Sequence, residues 1–247
     1  MIGDKVLKRF FVDKSSIKGD TIVIEGIEHN HIKNVMRLNV GEDIIVVAGD
    51  EFDYYAKIID MKKGETVVKV LDKKQNEYNP KHNVTVFQAL TKTDNMQLIV
   101  QKLTELGVTT FYPVITEFIT SKDKMGKSDK LQVVSNQSIK QCKRSIPMKI
   151  ESVIKFSAML DLLKEYDIVF FANECESNVS LSQVLSKVKG KVAIIVGSEG
   201  GFSPSEISSL NLPNVHSVSL GKRILRAETA SIALTSVVMY QIGEWNV

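Results

Sequence analysis

Cysteine is scarce in this chain: Cys142 and Cys175 are the only two in 247 residues. Two thiols so far apart form neither a disulfide framework nor a zinc-finger spacing, so both are read as reduced. Long apolar runs are lacking too, and no stretch approaches the roughly 20 residues of a membrane-spanning helix. The opening MIGDKVLKRFFVDKSS has no apolar core segment or small-residue cleavage site of the secretory kind. The expectation is a cytoplasmic protein with no membrane partner. Charge of one sign is also short, with a formal net charge of +3. There are four histidines. His29 and His31 in EHNHIKN have no third ligand nearby, and His82 and His216 stand alone, so no metal is expected.

What is present is a soluble-type composition, 43% hydrophobic and 25% charged, with enough length to bury a core. The cations are unevenly spread. Residues 120–155 hold nine of them (Lys122, Lys124, Lys127, Lys130, Lys140, Lys143, Arg144, Lys149, Lys155) against three acids, Asp123, Asp129 and Glu151. Such a local excess is either a phosphate-backbone footprint or a solvated face.

The rhythm of the chain changes once. Residues 1–75 read as five or six short strands (KRFFVD, TIVIEG, EDIIVVAGD, FDYYAKIIDM, ETVVKVLD) broken at Gly19, Gly41, Gly49 and Gly64, with a helical piece from His29 to Leu38. That pattern predicts a small β-barrel. After the polar stretch KKQNEYNPKHN, residues 76–247 alternate strand and helix: NVTVFQA, TDNMQLIVQKLTEL closed by Gly107, TTFYPVIT, a basic helix KSDKLQVVSNQSIKQCKR, SAMLDLLKEY, YDIVFFANE, VSLSQVLSKV, KVAIIVG, PSEISSLNL, NVHSVSL and a last apolar helix. Apolar, β-branched strands alternating with helices predict a parallel sheet covered on both faces.

Ligands in such sheets bind beyond the carboxyl ends of the strands. Three strand ends stand out: IVFFANE ending at Glu174, AIIVGSEGG running through Gly197 to Gly201, and VSLGKRILRAETA. The glycine turn has neither the dinucleotide spacing nor a P-loop Lys-Ser/Thr ending. Lys222, Arg223 and Arg226 cluster at the start of the last helix, where cations oppose the dipole. They either point to solvent, pair with Glu228, or await an anion.

VGSEGGFSPSEI and LGKRILRAETA together resemble the paired signature of the SPOUT, or trefoil-knot, methyltransferases, and within them the ribosomal small subunit methyltransferase E family. KRFFV, HIKNVMRLNVGE, QKLTELGVTTFYPVITE and KQCKRSIP extend the match along the chain in order. The resemblance implies an α/β fold: a knotted SPOUT methyltransferase domain with a parallel sheet over 76–247, preceded by a small PUA-like β-barrel over 1–75. It implies S-adenosylmethionine as cofactor and methylation of uridine N3 in 16S ribosomal RNA. The cofactor would be held by Ala172, Asn173, Glu174, Val196, Gly197, Gly200, Gly201, Leu220, Gly221, Arg223, Ile224, Leu225 and Ala230, the glycines letting main chain approach the ligand. The partners implied are 16S rRNA or the small ribosomal subunit, and a second copy of the chain in a homodimer.

Uracil N3 carries a proton and is a poor nucleophile until it is lost. Arg226 is expected to stabilise the developing uracil anion, with Glu199 or Glu228 taking the proton or orienting that arginine. Arg9, Phe10, Arg37, Lys140, Lys143 and Arg144 are the candidate RNA contacts, Phe10 being equally suited to the barrel core. Three departures from the family pattern bear on substrate contacts: Ser198 where proline is usual, Phe118 where arginine is usual, and a shortened KQCKRSIP. Two other readings stay open, namely a SPOUT enzyme acting on a ribose 2′-hydroxyl and an RNA-binding assembly factor without catalysis. A dinucleotide enzyme would need a fingerprint the chain lacks.

Overall fold

Alternating apolar residues in TIVIE and DIIVV, and the long FDYYAKIIDM and ETVVKVLDKKQ segments, build the first sheet of the molecule, a computed structural model that describes residues 7–119, 128–174, 176, 181–186 and 188–246. Contacts divide the chain into two compact units, residues 1–79 with 136–147, and 80–135 with 148–247.

The first unit holds β1 (Arg9–Phe11), β2 (Ile17–Lys18), β3 (Thr21–Glu25), β4 (Asp43–Val47), β5 (Phe52–Met61) and β6 (Glu65–Gln75) in one six-stranded sheet, ordered β1-β4-β5-β6-β3-β2. Only β1 runs parallel to its neighbour, with Phe10 opposite Val46. Register shifts at Tyr55/Ala56 and Ile58/Asp60 bend the β5–β6 pair, as bulges do. Phe10, Ile22, Ile24, Ile44, Val46 and Ile58 fill the interior. The opposite side of β4 is covered as well, because Ile45 and Val47 pack on Ile139. The expected helix from His29 to Leu38 is instead a short α1 (Gly26–Asn30) followed by a π-helical turn, His31–Val35. Strand β6 runs to Gln75, into the start of the polar stretch, whose first residues are solvent-facing strand.

The second unit is the parallel sheet. Its strands are β7 (Val84–Ala89), β8 (Thr110–Ile115), β9 (Lys149–Ile150), β10 (Ile154–Lys155), β11 (Ile168–Ala172), β12 (Val192–Val196) and β13 (Val215–Val218), ordered β10-β8-β7-β12-β11-β13 with β9 also on β8. Every residue of the central β7 and β12 is buried, which is why both are mostly apolar, with Thr85 and Gln88 of β7 the buried polar exceptions. Helices α2 (Thr93–Leu106), α3 (Ser128–Cys142), α5 (Leu181–Leu185) and α7 (Ala227–Gln241) contribute to the core on one face. Helix α4 (Phe156–Leu163) and the end of α6 (Pro204–Ser209) contribute to the other. Gly107 ends α2 at φ 104°, the left-handed cap its position predicted. After β13, at the sheet edge, the chain returns to the middle, where α7 packs against α2 and β12. No described helix is long and apolar enough to cross a membrane.

Candidate active site

Three loops leave the carboxyl ends of β11, β12 and β13 side by side and enclose a cavity of about 360 Å³, within the range of small-molecule sites. Asn173 joins the first loop to the third strand: its N–H donates to Val218 O at 3.0 Å and its Nδ2 to Ser217 Oγ at 3.1 Å. The second loop is a tight turn in which Gly201 N–H donates to Ser198 O at 3.0 Å. From inside the sheet, fully buried Gln88 donates to Gly197 O at 3.0 Å. No local signal marks that anchor, since a glutamine in a mostly apolar strand has no motif.

The glycines of this turn answer to the chain itself. A Cβ on Gly200 would meet Phe118 Cβ and Phe118 O, each at 2.9 Å, and Gly201 sits at φ +69°. The expectation that glycine admits the ligand is replaced, at Gly200, by close passage of the segment after β8. That segment is tied down twice more. Ser198 Oγ donates to Phe118 O at 3.3 Å, so two of the departures from the family pattern meet. Glu206, buried, accepts Glu117 N–H at 2.9 Å through Oε1 and Ser203 N–H at 3.0 Å through Oε2. Ser203 Oγ in turn accepts Glu206 N–H, which completes a capping box on α6.

Every residue expected to hold the cofactor lines this one cavity, from Ala172, Asn173 and Glu174 through Val196, Gly197, Gly200 and Gly201 to Leu220, Gly221, Arg223, Ile224, Leu225 and Ala230. Glu199 and Arg226 line it too, and Glu228 does not. Phe202 and Ile207 also line it, supplied by α6 and its approach. Their signal was position alone, directly behind the glycine turn. Arg226 is exposed at the N-terminal boundary of α7 and caps nothing with its side chain. Among the described residues, the side chains of Lys222, Arg223 and Arg226 have no hydrogen-bond or ion-pair partner. Glu228 Oε2 is buried without one, so the cations do not pair with it.

The other candidates divide. Arg9 and Phe10 are interior: Phe10 is wholly buried, and the Arg9 guanidinium meets Asp53 as a nearly buried pair, with Nη1 at 3.0 Å from Oδ2. Arg144, 2% exposed, donates from Nε to Ile146 O. These three build the first unit and present nothing to a nucleic acid. Lys140 is held by Glu28 at 2.7 Å. Arg37 and Lys143 are exposed. Cys175 and three of the clustered lysines, Lys122, Lys124 and Lys127, lie outside the described residues. His29 Nδ1 lies 2.8 Å from Thr66 Oγ1 in the barrel interior, and His82 pairs with Glu244. No three His, Cys, Asp or Glu among the described residues are placed to hold a metal ion.

Comparison with known proteins decides the family. The model of an RNA methyltransferase domain matches residues 77–239, and that of an RNA methyltransferase PUA domain matches 25–71. The ribosomal RNA small subunit methyltransferase E of Aquifex aeolicus is 30% identical over 182 residues, covering 69% of this chain and 74% of that one. The chain belongs to the ribosomal RNA small subunit methyltransferase E family. The Bacillus subtilis member is 29% identical across 95% of this chain and 97% of its own. A Legionella pneumophila methyltransferase solved with bound SAM is 25% identical with a TM-score of 0.86, covering 95% of this chain and 97% of that chain. The Neisseria gonorrhoeae methyltransferase E shares the fold, with a TM-score of 0.84 at 24% identity over 95% and 97% of the two chains. The chain is thus an RNA methyltransferase domain preceded by a PUA domain.

Proposed function

We propose that this chain transfers the methyl group of S-adenosylmethionine to N3 of a uridine in 16S ribosomal RNA. One observation carries it: a cavity at the carboxyl edge of the parallel sheet, walled by three loops and carrying Arg223 and Arg226, whose side chains have no partner among the described residues, in a chain of this family. The residues suit the donor. Ile224 lines the cavity yet is 83% exposed, an apolar side chain that a bound purine would cover. With Leu220 and Leu225 it forms an apolar wall, while main chain of 197–201 offers polar groups and Arg223 a partner for a carboxylate. When bound, S-adenosylmethionine supplies a methyl group already activated as a sulfonium.

The remaining difficulty lies at the acceptor. N3 of a paired uridine is buried in the base pair, so the base has to be unpaired or flipped out to reach the cavity. Arg226 then faces the carbonyl oxygens on which charge grows as the N3 proton leaves, and stabilises them without waiting for solvent to reorganise. Arg226→Ala is expected to lower kcat about a hundred- to a thousand-fold while sparing donor affinity. Turnover at the wild-type level would reject the role.

The RNA surface is read as the first unit with its exposed Arg37 and Lys143, acting in the cytoplasm on the 16S rRNA or the small subunit. A second copy of the chain is read against α7, where Val237 is 36% and Tyr240 68% exposed on a helix whose other face buries Leu234, Val238 and Met239. Mass in dilute solution should be that of a dimer, and a monomer would remove this interface. The whole reading is tested by incubating the protein with 16S rRNA or small subunits and labelled donor, followed by nucleoside mass spectrometry. N3-methyluridine is expected. Label on a ribose 2′-oxygen, or none, overturns it.

A further inference from the structure

Three carboxylates stand close to the chemistry, and the structure separates them. Glu228 is absent from the cavity wall and its Oε2 is sealed from solvent without a partner. Glu174 lines the cavity on the loop assigned to the donor. Glu199 lines it as well, exposed, and is the one whose carboxylate is held from outside: Asn95 Nδ2 donates to its Oε1 at 3.3 Å. Asn95 is well placed to hold something. It lies in the first turn of α2, next to buried Met96, whose N–H bonds Lys92 O at 3.0 Å.

The chemistry of the pair matters. A neutral amide fixes a carboxylate in space, but unlike an arginine or lysine it does not neutralise it. No ion pair joins Glu199 to Arg226 or Arg223 among the described residues, although all three share one cavity. Among the described residues, Oε2 of Glu199 is therefore left as an oriented, unneutralised acceptor in the same space as a guanidinium without a partner. A uracil needs both: a proton acceptor at N3 and a cation at the flanking carbonyls.

We infer that Glu199 takes the N3 proton of the acceptor uracil and that Asn95 is its positioning residue, an inference that rests on the functional reading above. The N3–H bond breaks with its electron pair left on N3 and the proton on Glu199 Oε2. That pair forms the bond to the methyl carbon as the carbon–sulfur pair departs with sulfur, and Glu199 later releases its proton to solvent. Among the described residues the other charged groups of this space are Glu174, Arg223 and Arg226 on the cavity wall, with Lys92 and Asp94 flanking Asn95 in the chain.

Single-turnover methylation at saturating donor, followed across pH, tests it. Glu199→Gln should slow the wild-type rate about 10²- to 10⁴-fold at neutral pH. The deficit should shrink as pH rises, because uracil that ionises unaided needs no base. Asn95→Ala should lower kcat about ten-fold with the donor Kd, measured by calorimetry on the protein alone, unchanged. A readout free of turnover is the side-chain amide of Asn95 in a nitrogen-15 NMR spectrum. Its signal should follow a titration that Glu199→Gln removes. The proposal is overturned if Glu199→Gln keeps the wild-type rate and profile, if Glu228→Gln alone reproduces the pH-dependent defect, or if the Asn95 signal ignores Glu199. Wild-type protein that moves no methyl to N3 removes the functional reading, and this step with it, even where the Asn95 titration is seen.

Discussion

Gly200 and Gly221 look alike in the sequence, one glycine in each of two loops, yet they are glycine for different physical reasons. Gly221 has φ +108° and nothing near its missing Cβ, so its requirement is conformational. Gly200 has an ordinary φ and no room, with Phe118 backbone O 2.9 Å from where a Cβ would stand. Gly200→Ala has to push either the second loop or the 116–119 segment aside. It is expected to cost about 1–3 kcal/mol, the range of overpacked sites, and to weaken donor binding more than it lowers Tm, because the loop is a cavity wall. Calorimetric titration alongside thermal unfolding checks this; equal donor affinity would mean the loop yields freely. Arg9 teaches the opposite lesson. Its charge suggested RNA, but Asp53, Asn76 and the Lys143 carbonyl surround it, with Asn76 Nδ2 at 2.8 Å from both Asp53 Oδ1 and Lys143 O. Asp53→Ala strands a buried guanidinium and should cost about 3–5 kcal/mol in chemical denaturation, without changing donor affinity. A loss under about 1 kcal/mol would mean that water enters and solvates Arg9.

At the scale of elements, period and punctuation carried most of the fold. β7 and β12 were legible because a strand buried on both faces is apolar at nearly every position, and α2 because its stripe ends on a glycine able to take a positive φ. The cavity was legible because its three walls are loops with distinctive residues, each following a strand of the same sheet. What escaped was whatever depends on a distant partner. Gln88 has a reason only once Gly197 lies beside it, and Glu206 only once Glu117 does. Lone cations were ambiguous for the same reason: nothing local distinguishes Arg144, 2% exposed, from its exposed neighbour Lys143. The π-helical turn at His31–Val35 was missed because a single i→i+5 turn leaves no periodicity to read.

For the whole molecule the question is how the chain grips an RNA, and two backbone angles bear on it. Among the described residues the non-glycine positions with positive φ are Arg37 at 52° and Lys143 at 68°. Each follows a helical segment, where left-handed geometry is usual and glycine the ordinary occupant. Lys143 uses the geometry to aim its carbonyl at Arg9 and Asn76, and Arg37 lets Leu38 N–H reach Ile32 O at 3.0 Å. None of these bonds needs a cationic side chain, and the one further contact of either cation among the described residues, Lys143 Nζ 5.2 Å from the centroid of the Tyr78 ring, is worth about 0.5–1 kcal/mol at an exposed site. This permits a test free of the usual ambiguity. Glycine at either position relieves the backbone and keeps these bonds, which offsets the loss of the Lys143–Tyr78 contact, so Arg37→Gly with Lys143→Gly should change thermal stability little and leave donor affinity intact. If these cations meet phosphates, the slope of log affinity for RNA against log salt should become shallower by about one for each cation removed, and KM for RNA should rise while kcat holds. An unchanged slope in the double variant, with the protein folded, would move the phosphate contacts off these two residues and onto another surface of the chain.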